Sequence, residues 1–298
     1  MAITSIQGPE PIRLSWPAQK CERTSAVNPR LKILIFAPHP DDETIGAGGL
    51  IVRANREIRP KPIICVCSMS LGNQNEQEVR KNEMESACKI LGANLIHSDV
   101  QLGMESEFVD GKSQEKLRIM NGPENTSRLS EVIREQNPDA IITCHQTDLH
   151  LDHFRANSLV TEAIALSRFT GRLIEYGVWR DLEHPNLLIG LSDEHFGLVK
   201  DAMQAYSSQV SRNPTILTGL LLGTLLRNVA RAEVLLGWGS GSPGFNYGMM
   251  FDMYDCRSYD ATTKITRVEH PKLVPPSEPL TETIFKISSW QFSISVMF

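Results

Sequence analysis

Pro38-His39-Pro40-Asp41-Asp42-Glu43 sets one imidazole and two adjacent carboxylates directly after the apolar run Lys32-Ile33-Leu34-Ile35-Phe36-Ala37. Thr44-Ile45-Gly46-Ala47-Gly48-Gly49 follows. A short buried strand should end at this polar cluster and a helix should begin from it. In open α/β sheets, the crevice beyond the carboxyl ends of the strands is where ligands bind. Imidazole and carboxylate there suit a borderline divalent metal such as zinc. A spare carboxylate can take a proton from water activated by that metal. Adjacent side chains diverge, so Asp41 and Asp42 divide into one ligand and one base. The residue types alone leave open which is which.

A second cluster answers the first. His145-Gln146-Thr147-Asp148-Leu149-His150-Leu151-Asp152-His153 follows the apolar run Ala140–Cys144. Three histidines and two aspartates within nine residues, again between a strand and a helix, would converge with the first cluster on one crevice. The glycine run lacks the third glycine of GxGxxG, and carboxylates precede it, so close helix–sheet packing explains it better than a dinucleotide site. No GxSxG elbow occurs, which argues against a serine hydrolase of that type.

The elements that must position these clusters alternate. Strands are expected at 32–37, 62–68, 95–97, 140–144 and 173–179. Helices are expected at 44–58, 75–91, 126–136, 154–167 and 194–206. Gly92 is a stop for the second helix, and Asn137-Pro138 ends the third. This order predicts an α/β fold, a Rossmann-like, mostly parallel sheet with helices on both faces. Residues 216–236 are apolar on one face, with Arg227 and Arg231 on the other. They predict a long core-packing helix, with a dimer or membrane contact as the alternative. Residues 237–248 read as a Gly- and Ser-rich loop carrying Trp238, Phe245 and Tyr247. An N-terminal arm (1–30) and an irregular C-terminal extension (256–298), with strands at 281–287 and 291–296, flank the main domain (31–255).

The chain has 298 residues, 41% apolar and 22% charged, ordinary for a globular protein that buries a sizeable core. A net charge of -5 argues against nucleic acid as the main partner. The six cysteines, at 21, 65, 67, 88, 144 and 256, form no CxxC pair and read as reduced, buried thiols, in line with a cytoplasmic setting. Cys144 beside His145 is read the same way. No apolar run is long enough for a membrane helix, so no stable membrane insertion is expected.

These residues resemble the LmbE / PIG-L family of zinc-dependent N-deacetylases, whose signatures are (A/P)HPDDE and, further on, HxDH. Arg80-Lys81-Asn82-Glu83 fits that family's RxxE, and Lys200 with Ala205-Tyr206-Ser207-Ser208-Gln209 resembles its later K…AY.SQ segment. The resemblance spans residues 31–255. It implies that His39, Asp42 and His153 bind zinc, or iron(II), leaving a position for water. It implies Asp41 as general base and His150 as the group that steadies the oxyanion or protonates the leaving amine. Asp152 would orient His150 or His153 as part of the catalytic apparatus. Arg80 would contact substrate, or else brace the aspartates. Glu43 would be structural. The implied activity removes an N-acetyl group from an amino-sugar conjugate of the N-acetylglucosamine type, a small-molecule partner, on a chain free to form a homo-oligomer. Trp179, Trp238 and Tyr247 are candidates to stack on the sugar. The rivals are an amidase for larger acyl groups and a catalytically silent, metal-containing sugar binder.

Overall fold

Strand β1 (Lys32–Ala37) is buried along nearly its whole length, as a central parallel strand covered on both faces must be. The computed structural model describes residues 30–71, 74–97, 104–109, 112–117, 122–259 and 262–287. Residues 1–29 of the N-terminal arm, Cys21 among them, and the strand expected at 291–296 lie outside the described residues.

From β1 the chain enters α1 (Asp42–Glu57), then β2 (Ile63–Ser68), α2 (Gln77–Leu91) and β3 (Asn94–His97). After a separate hairpin, β4 (Met104–Val109) with β5 (Lys112–Leu117), come α3 (Gly122–Gln136), β6 (Ala140–Cys144), α4 (Leu151–Ser167) and β7 (Gly171–Tyr176). Then follow β8 (Leu187–Leu191), α5 (Asp193–Gln204), α6 (Ser207–Arg212), α7 (Gly223–Ala230), α8 (Ala232–Leu236), β9 (Tyr247–Tyr259), β10 (Thr262–Arg267) and β11 (Lys272–Val274). The main sheet runs β11-β8-β9-β7-β6-β1-β2-β3, with β10 paired to β9. Strands β3, β2, β1, β6 and β7 are mutually parallel. Strand β9 is antiparallel to β7 and β8, its neighbours on either side.

Two features of this topology matter for function. The chain leaves β1 toward β2 on one side and later returns to β6 on the other, so β1 and β6 flank the point where strand order reverses. That is where an open α/β sheet leaves a crevice at its carboxyl edge. Both polar clusters sit there, after β1 and after β6. The glycine run, in turn, lets α1 lie against the sheet. A Cβ on Gly46 would stand 2.0 Å from the Tyr176 ring, and one on Gly49 2.6 Å from Leu191.

The C-terminal part departs from expectation. The boundary expected after residue 255 falls inside β9, and β10 and β11 hydrogen-bond into the same sheet, so residues 256–259, 262–267 and 272–274 are strands of it. Arg53, fully buried on α1, donates to the carbonyls of Gly190, Val274 and Glu278 and pairs with Glu57, which ties this segment to α1. The strand expected at 281–287 is instead a short turn, Glu282–Ile284, whose Ile284 and Phe285 are buried. The single helix expected over 216–236 is divided. A π-helical turn, Leu217–Leu222, precedes α7, and α8 follows a break at Arg231. Gly219 and Gly223 loosen the helical preference of that stretch.

Candidate metal centre

The turn after β1 is built around an unusual backbone. Asp41 has φ 116°, a conformation that non-glycine residues rarely adopt. It folds the chain so that the Asp42 carboxylate points back at His39, whose backbone N–H donates to Asp42 Oδ2 at 2.9 Å. The same oxygen lies 3.2 Å from His39 Nδ1 and 3.0 Å from His153 Nε2. Three potential donor atoms thus meet on one point. The neighbours on a tetrahedral zinc, with bonds of 2.0–2.1 Å, stand about 3.3 Å apart.

The second cluster supplies the opposite wall. His150 precedes the first turn of α4, and its Nδ1 accepts from the Asp152 backbone N–H at 3.2 Å. Three residues on, His153 projects from the same helix side, as 100° per residue requires. Donor atoms of His39, His150 and His153 lie within 4.8 Å of one another.

Outer partners fix each ring. Asp152 meets His39, with Oδ2 3.0 Å from Nε2, rather than His150 or His153 as the sequence suggested. It sits one residue before His153, so its side chain leaves the helix in a different direction, toward the β1 turn. His153 is backed by Asp148, whose Oδ2 is 3.3 Å from Nδ1. Asp148 also accepts the backbone N–H groups of Val178 (2.8 Å) and Trp179 (3.0 Å), so it joins the loop after β7 to the site. Sequence reasoning gave Asp148 no role. Its presence in the nine-residue cluster was the one available signal.

Electrostatics follow from this crowding. Burial lowers the His39 pKa, but the hydrogen bonds to Asp152 and Asp42 outweigh it and push the ring up to about 9. Burial likewise lowers His153, while Asp42 and Asp148 raise it to about 10. Burial raises Asp42, yet the two imidazoles hold it well below the usual carboxylate range. Asp41 is pushed up to about 8 by burial and by the Asp42 charge, with Arg80 and His39 opposing. His150 is lowered by burial and by the other two rings.

The residues fit a metal ion. Both ring nitrogens of His153 and Asp152 Oδ1 are buried without a hydrogen bond of good geometry. Buried polar atoms seldom stay so unless a missing partner completes them. The donor set of imidazoles and carboxylate suits zinc or iron(II).

Arg80 is buried, donates from Nη2 to the Pro40 carbonyl at 2.9 Å and stands 3.9 Å from Asp41 Oδ2. It therefore lies behind the turn. Glu83, one helical turn later on α2, accepts from Ser207 Oγ (3.0 Å), Ser208 N (2.7 Å) and Ser208 Oγ (2.7 Å). Glu43 is fully buried and accepts from Tyr206. Cys144 is a buried thiol that donates to the His153 carbonyl, and burial raises its pKa well above the usual thiol value. Of the aromatic candidates, Tyr247 stacks on Phe196 with ring centroids 4.4 Å apart, whereas Trp179 and Trp238 keep exposed rings.

A family profile described as GlcNAc-PI de-N-acetylase (PIG-L) matches residues 34–164, the stretch that holds both clusters. Residues 34–164, under half of the chain, thus match the PIG-L (LmbE-like) family domain. Among curated relatives, 1D-myo-inositol 2-acetamido-2-deoxy-alpha-D-glucopyranoside deacetylase from Corynebacterium diphtheriae is 26% identical over 60% of this chain and 76% of its own length. Among solved structures, the zinc-inhibited form of teicoplanin deacetylase Orf2 aligns with TM-score 0.57 and 16% identity, over 80% of this chain and 99% of that one. GalB, the 4-carboxy-2-hydroxymuconate hydratase of Pseudomonas putida KT2440, aligns with the same TM-score at 17% identity, over 77% and 98%. A hydratase and a deacetylase thus share the fold of the PIG-L domain. These structural likenesses carry the fold alone, and the chemistry must be argued from the side chains. Among the described residues, no helix is long and apolar enough to cross a membrane.

Proposed function

We propose that this chain is a metal-dependent N-deacetylase that hydrolyses the acetamide of an amino-sugar conjugate, releasing acetate and a free amine. The observation that carries the reading is the meeting of His39 Nδ1 and His153 Nε2 on Asp42 Oδ2, at 3.2 and 3.0 Å. The family description and the C. diphtheriae relative, both named for acetylated glucosamine conjugates, supply the substrate class.

His39, Asp42 and His153 would hold the ion, with Asp152 and Asp148 fixing the two rings from behind. When bound, zinc or iron(II) polarises a carbonyl and lowers the pKa of water toward neutrality. Asp41 is the proton acceptor. Its burial keeps its basicity near neutral pH, where a general base works best. His150 is the donor. Its Nδ1 is taken by the Asp152 N–H, so the neutral ring carries its proton on Nε2, free to meet a developing oxyanion or the leaving nitrogen. One such donor is worth on the order of 3 kcal/mol of barrier. The lowered pKa of His150 keeps the ring neutral around pH 7, as this role needs. Arg80 acts as a brace on the Pro40–Asp41 turn rather than as a substrate contact, because the side chain is buried and its Nη2 donates to the Pro40 carbonyl.

The test is a panel of glucosamine conjugates acylated with acetyl, butyryl or octanoyl groups, with free amine measured using zinc- or iron-loaded protein. Turnover greatest on the acetyl members supports the proposal. Turnover confined to the octanoyl members would replace it with a larger-acyl amidase.

A further inference from the structure

The role of Asp41 depends on a backbone conformation that is unfavourable for an aspartate and that persists only where the surroundings over-determine it. The structure shows what holds it. The peptide unit joining Pro40 to Asp41 is planar, so its carbonyl and its N–H move together, and its orientation sets φ of Asp41. Both ends of that plane are anchored. The Pro40 carbonyl accepts from Arg80 Nη2 at 2.9 Å. The Asp41 N–H donates to Glu43 Oε2 at 3.2 Å. On the other side of the residue, the Asp41 carbonyl accepts from the N–H groups of Thr44 and Ile45, both at 3.0 Å, which fixes ψ.

Glu43 is itself aimed by a residue far along the chain. Its Oε1 accepts from Thr44 Oγ1 at 2.5 Å and from the Tyr206 hydroxyl at 2.6 Å, and both Glu43 and Tyr206 are completely buried. Tyr206 is the junction between α5 and α6, and the next two residues, Ser207 and Ser208, are bound by Glu83. Glu83 shares α2 with Arg80. The anchors on the two ends of the Pro40–Asp41 plane are therefore linked to each other, one through Arg80 and α2, the other through Glu43, Tyr206 and Glu83.

We propose that Tyr206 is a positioning residue for Asp41, acting through the Glu43 carboxylate to hold the Pro40–Asp41 peptide plane. This rests on the reading of Asp41 as proton acceptor only for its kinetic consequence; the clamp itself can be tested without turnover. Removing the hydroxyl frees Glu43 to turn and releases the Asp41 N–H. The metal ligands His39, Asp42 and His153 do not touch Tyr206, so ion binding should survive.

The experiment compares the metal-loaded parent with Tyr206→Phe, and with Glu43→Gln, which keeps an oxygen for the Asp41 N–H while its amide N–H donates to the Tyr206 hydroxyl, which then accepts instead of donating. Hydrogen exchange of the Asp41 amide, read by NMR, should quicken at least about tenfold in Tyr206→Phe and stay within about threefold of the parent in Glu43→Gln. In Tyr206→Phe, kcat should fall about tenfold, with KM and metal stoichiometry unchanged. Unaltered exchange in Tyr206→Phe would overturn the clamp. Quickened exchange with unaltered kcat would overturn the positioning role. If the parent shows no deacetylation, the deacetylase reading has failed, and the exchange result alone decides the clamp.

Discussion

Asp148 offers a sharp test because it does two separable things. One is to back His153, with Oδ2 3.3 Å from Nδ1; the other is to accept the N–H groups of Val178 and Trp179. With Nε2 of His153 turned to a metal, Nδ1 carries the proton, and the Asp148 carboxylate is the acceptor that fixes the ring and raises its basicity. Asp148→Asn keeps one oxygen but replaces the charged acceptor. The loss should be about 10- to 100-fold in zinc affinity, or about 1.4–2.8 kcal/mol. Asp148→Ala should lose similar affinity and also leave the buried Val178 amide without an acceptor, adding about 1–3 kcal/mol of instability, with a smaller loss from the part-buried Trp179 amide. Zinc affinity can be read by competition with a chromophoric chelator, and stability by urea unfolding of metal-free protein. The Asn variant should separate the two effects, with weak zinc binding and a smaller stability loss than the Ala variant. Zinc affinity in Asp148→Asn within about threefold of the parent would refute His153 as a ligand held by Asp148.

Two further outcomes follow. The pKa values of His39 and His153 are raised above 6.5, to about 9 and about 10, so both rings are protonated at pH 7 in metal-free protein and must shed those protons to bind an ion. Asp42 is already ionised and the lowered His150 is neutral, so neither adds a proton, while Asp41 at about 8 can add one. Calorimetry in buffers of different ionisation enthalpy should count two to three protons released per zinc at pH 7, with affinity rising as pH rises toward 9; a count below one would exclude the two imidazoles as joint ligands. Separately, Gly46→Ala should destabilise the protein by about 1–3 kcal/mol or more in urea unfolding, since its Cβ would stand 2.0 Å from a fully buried Tyr176 ring. A loss under about 0.5 kcal/mol would mean that α1 can lift from the sheet at no cost.

The parallel half of the fold was legible because its strands are short apolar runs that stop abruptly at polar residues. Lys32–Ala37 before His39 and Ala140–Cys144 before His145 are such runs, and the site lies where they end. The antiparallel half was not. Strand β9 mixes Asp252, Asp255 and Arg257 with Met and Tyr, and only its pairing with β7, β8 and β10 makes it a strand. The turn at Glu282–Ile284 has two buried apolar residues in a row, too few to reveal a period. Within the site, residue types identified the imidazoles and carboxylates but could not pair them. The ring that Asp152 meets depends on its direction from α4, which the sequence does not carry, and the partners that define Asp148, Val178 and Trp179, lie about thirty residues away. The RxxE and AY.SQ segments are legible in the sequence as resemblances only. Their joint meaning, Glu83 holding Ser207 and Ser208 beside the Tyr206–Glu43 contact, spans more than 120 residues and exists only in the folded chain.

If Asp41 takes the proton in a hydrolysis at the His39–Asp42–His153 centre, turnover needs its carboxylate and metal binding does not. The most direct measurement is amine release from an N-acetylglucosamine conjugate by the parent and by Asp41→Asn, with bound metal quantified in both. The expected result is equal metal content and a fall in kcat of at least about 100-fold in the variant, within the range that general-base catalysis contributes. Equal metal content with undiminished turnover would contradict it.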